Sequence, residues 1–134
     1  MSNRILARVL FCVVMCSTAS GAGAQISVTT IDGINISLTS QITPVPLNQM
    51  HSWVISLHNT HNEPLEDAVI MVDGGMPEHD HGLATSPQVT DYLGDGRYLI
   101  EGLRFHMPGL WLLEIQIEHQ GRRFRSEATL QAGS

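Results

Sequence analysis

Trp111-Leu112-Leu113-Glu114-Ile115-Gln116-Ile117-Glu118-His119-Gln120-Gly121-Arg122-Arg123-Phe124 is the stretch that decides the fold. Trp111, Leu113, Ile115 and Ile117 recur at every second position, with Glu114, Gln116 and Glu118 between them. A period of two marks a strand with one face buried and one in water. Gln120-Gly121 then turns the chain into a last strand, Arg122 to Leu130. Arg122, Arg123 and Arg125 form a small basic cluster there, for which cross-strand pairing with Glu114 and Glu118 is the simpler account and a docking edge the alternative. Trp111 belongs to the core. Gln131 to Ser134 are expected to fray.

Working outward, the same pattern repeats. Ile26 to Ile31 and Ile34 to Leu38 alternate around a hairpin signal at Asp32-Gly33. Thr43-Pro44-Val45-Pro46-Leu47 is an extended connector, because each proline biases its predecessor away from helix. His51 to His58 alternates with Trp53, Ile55 and Leu57 on one face. Ala68 to Val72 reads as a short buried strand ended by Asp73-Gly74-Gly75. Residues 76–87, containing Gly82 and ending at Pro87, read as a long loop. Gln88 to Leu93 and a strand starting at Tyr98 flank Gly94-Asp95-Gly96. The sum is an all-β chain, an antiparallel β-sandwich of seven or eight short strands with no helix.

Residues 1–24 read as a signal peptide, with Arg4 and Arg8 ahead of the apolar run Val9 to Met15 and a small-x-small site at Ala22-Gly23-Ala24. The run is too short for a membrane span, which needs about 20 residues. A lipoprotein fits less well, since Phe11 and Met15 precede Cys12 and Cys16 where a small residue is required. An uncleaved anchor is the other alternative. Residues 25–134 are expected to form a single periplasmic or secreted domain with no membrane span after cleavage.

That part holds no cysteine, since Cys12 and Cys16 both lie in the signal. Neither disulfides nor a thiolate metal site is then available. The chain has no lysine, and five arginines against thirteen carboxylates leave residues 25–134 at −8. Such a surface repels nucleic acid and attracts cations.

All seven histidines fall after residue 24. Met76-Pro77-Glu78-His79-Asp80-His81-Gly82 and Phe105-His106-Met107-Pro108-Gly109 hold three of them beside two methionines. On an extended chain His79 and His81 point to one side, about 7 Å apart. His106 and Met107 are adjacent, so only one faces a common site. Imidazole with thioether and no thiolate suits copper, with Cu(I) favoured by sulfur and Cu(II) accommodated by nitrogen, ahead of zinc. The candidate metal ligands are His79, His81, Met107 and Met76, with His106 as the alternative to Met107. Asp73, Glu78 and Asp80 are candidates to orient the rings. His51, His58, His61 and His119 read as surface histidines, with His58 and His61 as a weak secondary pair. No nucleophile elbow or phosphate cradle is present, so no enzyme is expected. A metal hydrolase would need Glu78 as base and an open coordination position.

Gly75 to Gly82, Gly94-Asp95-Gly96-Arg97-Tyr98 and Gly102 to Trp111, in that order, resemble the YtkA-like/FixH-like family of small exported domains over residues 74–117. The family's Met-Pro-x-His/Met-x-His-Gly block maps onto Met76, Pro77, His79, His81 and Gly82. Its Phe-x-Met-x-Gly-x-Trp block maps onto Phe105, Met107, Gly109 and Trp111. The resemblance implies an immunoglobulin-like sandwich facing the periplasm or exterior, and a link in some members to copper handling or oxidase maturation. The chain departs from FixH itself in keeping no membrane anchor after the expected cleavage. The leading expectation is a copper-binding protein that stores or transfers the metal, partnered by an envelope copper protein. The rival is a non-metal interaction module presenting an edge or loop.

Overall fold

The computed structural model describes residues 25–29 and 32–133. The expected signal and both cysteines lie outside the described residues, as do Thr30 and Ile31 of the first expected strand. Among the described residues nine strands follow in order: β1 (Gln25–Thr29), β2 (Ile34–Ser40), β3 (His51–Asn59), β4 (Val69–Met76), β5 (His81–Gly82), β6 (Gln88–Gly94), β7 (Arg97–Leu103), β8 (Gly109–His119) and β9 (Arg122–Ala132). A single 3-10 turn, Pro77–His79, separates β4 from β5. No described helix is long and apolar enough to cross a membrane.

All ladders between these strands are antiparallel, in one sheet ordered β1-β2-β3-β7-β6 and one ordered β5-β4-β8-β9. Taking β2, β3, β7 and β6 as one layer and β4, β8 and β9 as the other reproduces the ABED and CFG sheets of an immunoglobulin domain, with β5 beside the C strand. The fold is an immunoglobulin-like β-sandwich. The deciding stretch is its longest ladder: β8 and β9 pair without a register shift from Gly109↔Ala132 to His119↔Arg122.

Alternation sets the core. Trp53, Ile55 and Leu57 of β3 and Trp111, Leu113, Ile115 and Ile117 of β8 are buried in one cluster between the layers. Tyr98 of β7 joins them and ties the layers together. Its hydroxyl donates to the Leu65 carbonyl at 2.7 Å and accepts from the Ala68 amide at 3.0 Å. Phenylalanine at Tyr98 leaves both backbone groups without that partner, so the variant is expected to lose about 1–3 kcal/mol in a urea titration. Burial pushes the phenol above its usual 10.0, with the Ala68 bond opposing. A raised pKa means that the native state holds its proton longer than the unfolded chain. Stability is therefore full below pH 10.0 and is lost as pH rises through the native value. Tyr98→Phe should remove that alkaline loss.

Several expectations need correction. Ala68 to Val72 is not buried throughout: Val69 and Met71 are exposed, and only Ile70 and Val72 face inward. Asp73-Gly74-Gly75 does not end the strand, because β4 pairs with β8 through Gly75. The segment 76–87 is not all loop, since Met76 closes β4 and β5 pairs back onto it. That two-residue strand is the one beyond the expected seven or eight. The C-terminus does not fray at Gln131: Ala132 is buried in β9, and the Gly133 amide donates to Val45. Of the arginines, Arg123 meets Glu118 at 3.2 Å, whereas Arg122 lies over the Phe124 ring and Arg125 is opposite Gln116. Glu114 stands opposite Glu127 instead of an arginine.

Candidate metal centre

Two glycines let β4 run close between its neighbours. A Cβ on Gly74 would strike the Leu112 carbonyl, and one on Gly75 the His81 carbonyl. Without them β8 and β5 could not close on the two sides of β4. Pro77 opens the 3-10 turn, where its missing amide costs nothing. Asp80, at φ 50 in the left-handed region, then reverses the chain into β5. Register pairs Met76 with His81 and Gly75 with Gly82. Antiparallel partners project on the same face, so the thioether and the imidazole share a side.

Their surroundings differ. Met76 is 3% exposed, and its methyl lies over Gly109, where a Cβ would stand only 2.9 Å from it. Gly109 also has φ +130, a conformation that side chains rarely adopt. His79 and His81 are both exposed.

The second block comes from the segment between β7 and β8. Phe105 is buried and forms a bridge with Leu47. His106 turns towards β5: its ring centre is 5.9 Å from that of His81, and the planes are 75° apart. The His79 and His81 rings are 6.5 Å apart. Trp111 holds the segment in place. Its Nε1 donates to the Met107 carbonyl at 3.0 Å, and its ring packs edge-on to His106 at 5.3 Å and against Phe105 at 5.2 Å. Met107 is half-buried against the core. His106 Nδ1 is buried with no hydrogen-bond partner.

The structure thus brings His79, His81 and His106 to one rim of the sandwich, with Met76 beneath. His79 and His81 do not adopt the extended geometry that the spacing suggests; the turn and Asp80 bring them together instead. His106, named from sequence as the alternative to Met107, is the member of that pair beside His81. Asp73 is committed to its own strand, accepting from the Gly74 amide at 2.8 Å. Among the described residues neither Glu78 nor Asp80 bonds to a histidine ring, so neither orients one. His61 and His119 lie at the opposite end of β8 around a depression lined by Asp32 and Glu63.

His51 corrects another expectation. It is 5% exposed, not a surface histidine. Its Nδ1–H donates to the Gln49 carbonyl at 3.1 Å, and its ring packs on Phe105 at 5.5 Å. It has the parity of Trp53, and that signal alone points it inward.

Does the donor set fit a soft metal? Two imidazoles on opposite sides of one ion place their ring centres roughly 6–6.5 Å apart, given metal–nitrogen bonds of about 2 Å. The His81–His106 pair falls within that reach, and the buried His106 Nδ1 lacks a hydrogen-bond partner, whose place a metal would take in the tautomer protonated on Nε2. Among the described residues no three of His, Cys, Asp or Glu already converge on one point. The exposed His79 ring must therefore rotate, or a methionine sulfur must complete the set.

No curated protein matches the chain in sequence. Among solved structures, the GAE domain of GGA2p from Saccharomyces cerevisiae is similar over 83% of this chain and 98% of its own, with 11% identity and a TM-score of 0.41. The model of the YtkA-like family matches residues 29–116. The match begins well before the motif blocks, taking in β2 and β3, and runs through both blocks into β8. The chain belongs to the YtkA-like family.

Proposed function

We propose that this domain holds copper at the β5 rim, in the periplasm, and stores it or passes it to another envelope copper protein without catalysis. His81 and His106 are the central ligands, and His79 joins them. Met76 supplies thioether sulfur, which favours Cu(I) while the imidazoles accommodate Cu(II). The observation that carries the reading is the His81–His106 approach of 5.9 Å, together with a buried, unpartnered His106 Nδ1. The exposed positions of His79 and His81 suit exchange with a partner better than permanent burial. Copper bound there would bring a soft cation to the rim; the chain's own residues orient it, with Trp111 fixing the His106 segment. Kinship with FixH-like domains rests on the same sequence blocks and is part of this proposal.

The test is a metal titration of the protein beginning at Gln25. Cu(I) is added under reducing conditions, then Cu(II) and Zn(II) separately. The Trp53→Phe variant leaves Trp111 as the one tryptophan. One tight copper per chain and quenched Trp111 fluorescence are expected, with zinc held more weakly. Absence of any tight metal would overturn the reading.

A further inference from the structure

On one side, Val69 to Asp73 of β4 form a sheet edge with no strand paired to it among the described residues. β5 covers only Gly75 and Met76, and the ladder ends where the Leu83 amide donates to the Gly74 carbonyl at 2.9 Å. Backbone groups alternate sides along an antiparallel strand. Ile70 and Val72 therefore turn their N–H and C=O groups to the same side as Gly74, and that side is open. Beyond it lies a groove of about 700 Å³ whose opposite wall is the segment Thr85 to Val89.

Two other edges of the sandwich, β6 and β9, are guarded. β6 has two register shifts, and β9 carries three arginines. Bulges and charges of this kind discourage further pairing. Val69-Ile70-Met71-Val72 has no charge, no proline and no shift against β8. Its outward side chains are bare: Val69 is 60% exposed and Met71 55%. An edge like this is a template for another strand.

The groove selects the occupant. A second copy would bring the same excess of carboxylates and its own Asp73 to the edge, and like charges oppose that pairing. A free extended segment carries no such charge of its own, and five residues of it along the edge span about 17 Å. Charge sets its chemistry. Asp73 stands at one end of the bare run, and Glu66 and Asp67 precede the other, with Glu66 held near β6 by the Tyr92 hydroxyl at 3.3 Å. No basic residue lines the groove.

We infer that the β4 edge docks an extended segment of another protein as an added strand, apolar at alternate positions and flanked by basic residues. Main-chain bonds to Ile70 and Val72 supply affinity. Val69 and Met71 cover the apolar side chains, and the carboxylates set the register. The bound strand ends where β5 begins, so its tail comes up beside Gly82 and the histidine rim. The inference stands apart from copper, since none of these groups is a proposed ligand.

A short peptide of alternating valine and threonine, with arginine at both ends, serves as the probe. It is added to the isotope-labelled full chain without metal, and amide exchange is followed by NMR. Binding should slow exchange at Ile70 and Val72 by at least about tenfold. The same peptide with glutamate for arginine should not bind. Met71→Lys, a change at an exposed side chain, should weaken binding by at least about tenfold. Unchanged exchange at Ile70 and Val72 in the unsubstituted protein would overturn the inference. So would protection of these amides by concentration-dependent dimerisation alone, which would assign the edge to a second copy.

Discussion

Changing His79 and His81 together to alanine is expected to abolish tight copper binding while the sandwich stays folded. Both rings lie in solvent at the rim, and neither belongs to the core. β5 is held to β4 through backbone pairing, which alanine preserves. Exposed substitutions of this kind change stability by about 0.5 kcal/mol or less. Loss of groups that merely orient ligands costs about 10–100-fold in metal affinity, so removing two ligands should exceed that range. Competition against a copper chelator, with thermal unfolding measured on the same sample, separates the two effects. Retained stoichiometric copper in the double variant would remove these histidines from the site. A fall in melting temperature equal to that of a core variant would mean that the turn is structural instead.

Trp111→Ala is expected to produce the largest loss of stability, about 3–5 kcal/mol. The side chain is fully buried, so its removal leaves a large void between Phe105 and the β7–β8 segment. The Met107 carbonyl also loses its Nε1 donor. Domains of this size hold roughly 5–15 kcal/mol in total, so the loss is a large fraction of what is available. The rim should suffer with the core, because the Trp111 ring is the surface on which His106 rests. Trp111→Phe is the informative companion. It keeps most of the apolar volume while dropping the hydrogen bond and a small part of the ring, so it should recover most of the stability. Urea midpoints at constant slope measure both variants. A loss under about 1.5 kcal/mol for the alanine variant would show that the site collapses around the void, contrary to the packing described.

Where alternation was unbroken, the sequence was informative. β3, β8 and β9 lie where a period of two puts them, and their inward residues are the buried ones. His51 and Ala132 obey the same parity, although a polar side chain and a terminal position argue against burial at first sight. The errors cluster at glycine. Gly74-Gly75 reads as a stop because glycine weakens strands on average. Here it continues β4, because carbonyls of two neighbouring strands approach where a Cβ would stand. That approach is a property of the packed sandwich and leaves no local trace. The exposed edge at Val69 to Asp73 was hidden for a related reason: an apolar run looks the same whether it is covered or bare.

The candidate rim divides in the same way. Met76, His79, His81, His106 and Met107 are legible as donors by residue type alone, because the chemistry of nitrogen and thioether sulfur does not depend on the fold. Local periodicity determined the strands, the inward faces and the all-β class, since side-chain direction along a strand repeats every two residues whatever lies around it. Only the tertiary structure decided that His106 rather than Met107 stands beside His81, that Met76 lies beneath the rim, and that Trp111 supports the segment between β7 and β8. His81 and His106 are far apart in the chain and meet through turns and the packing of two sheets. Their separation is fixed by long-range contacts, which no local pattern encodes.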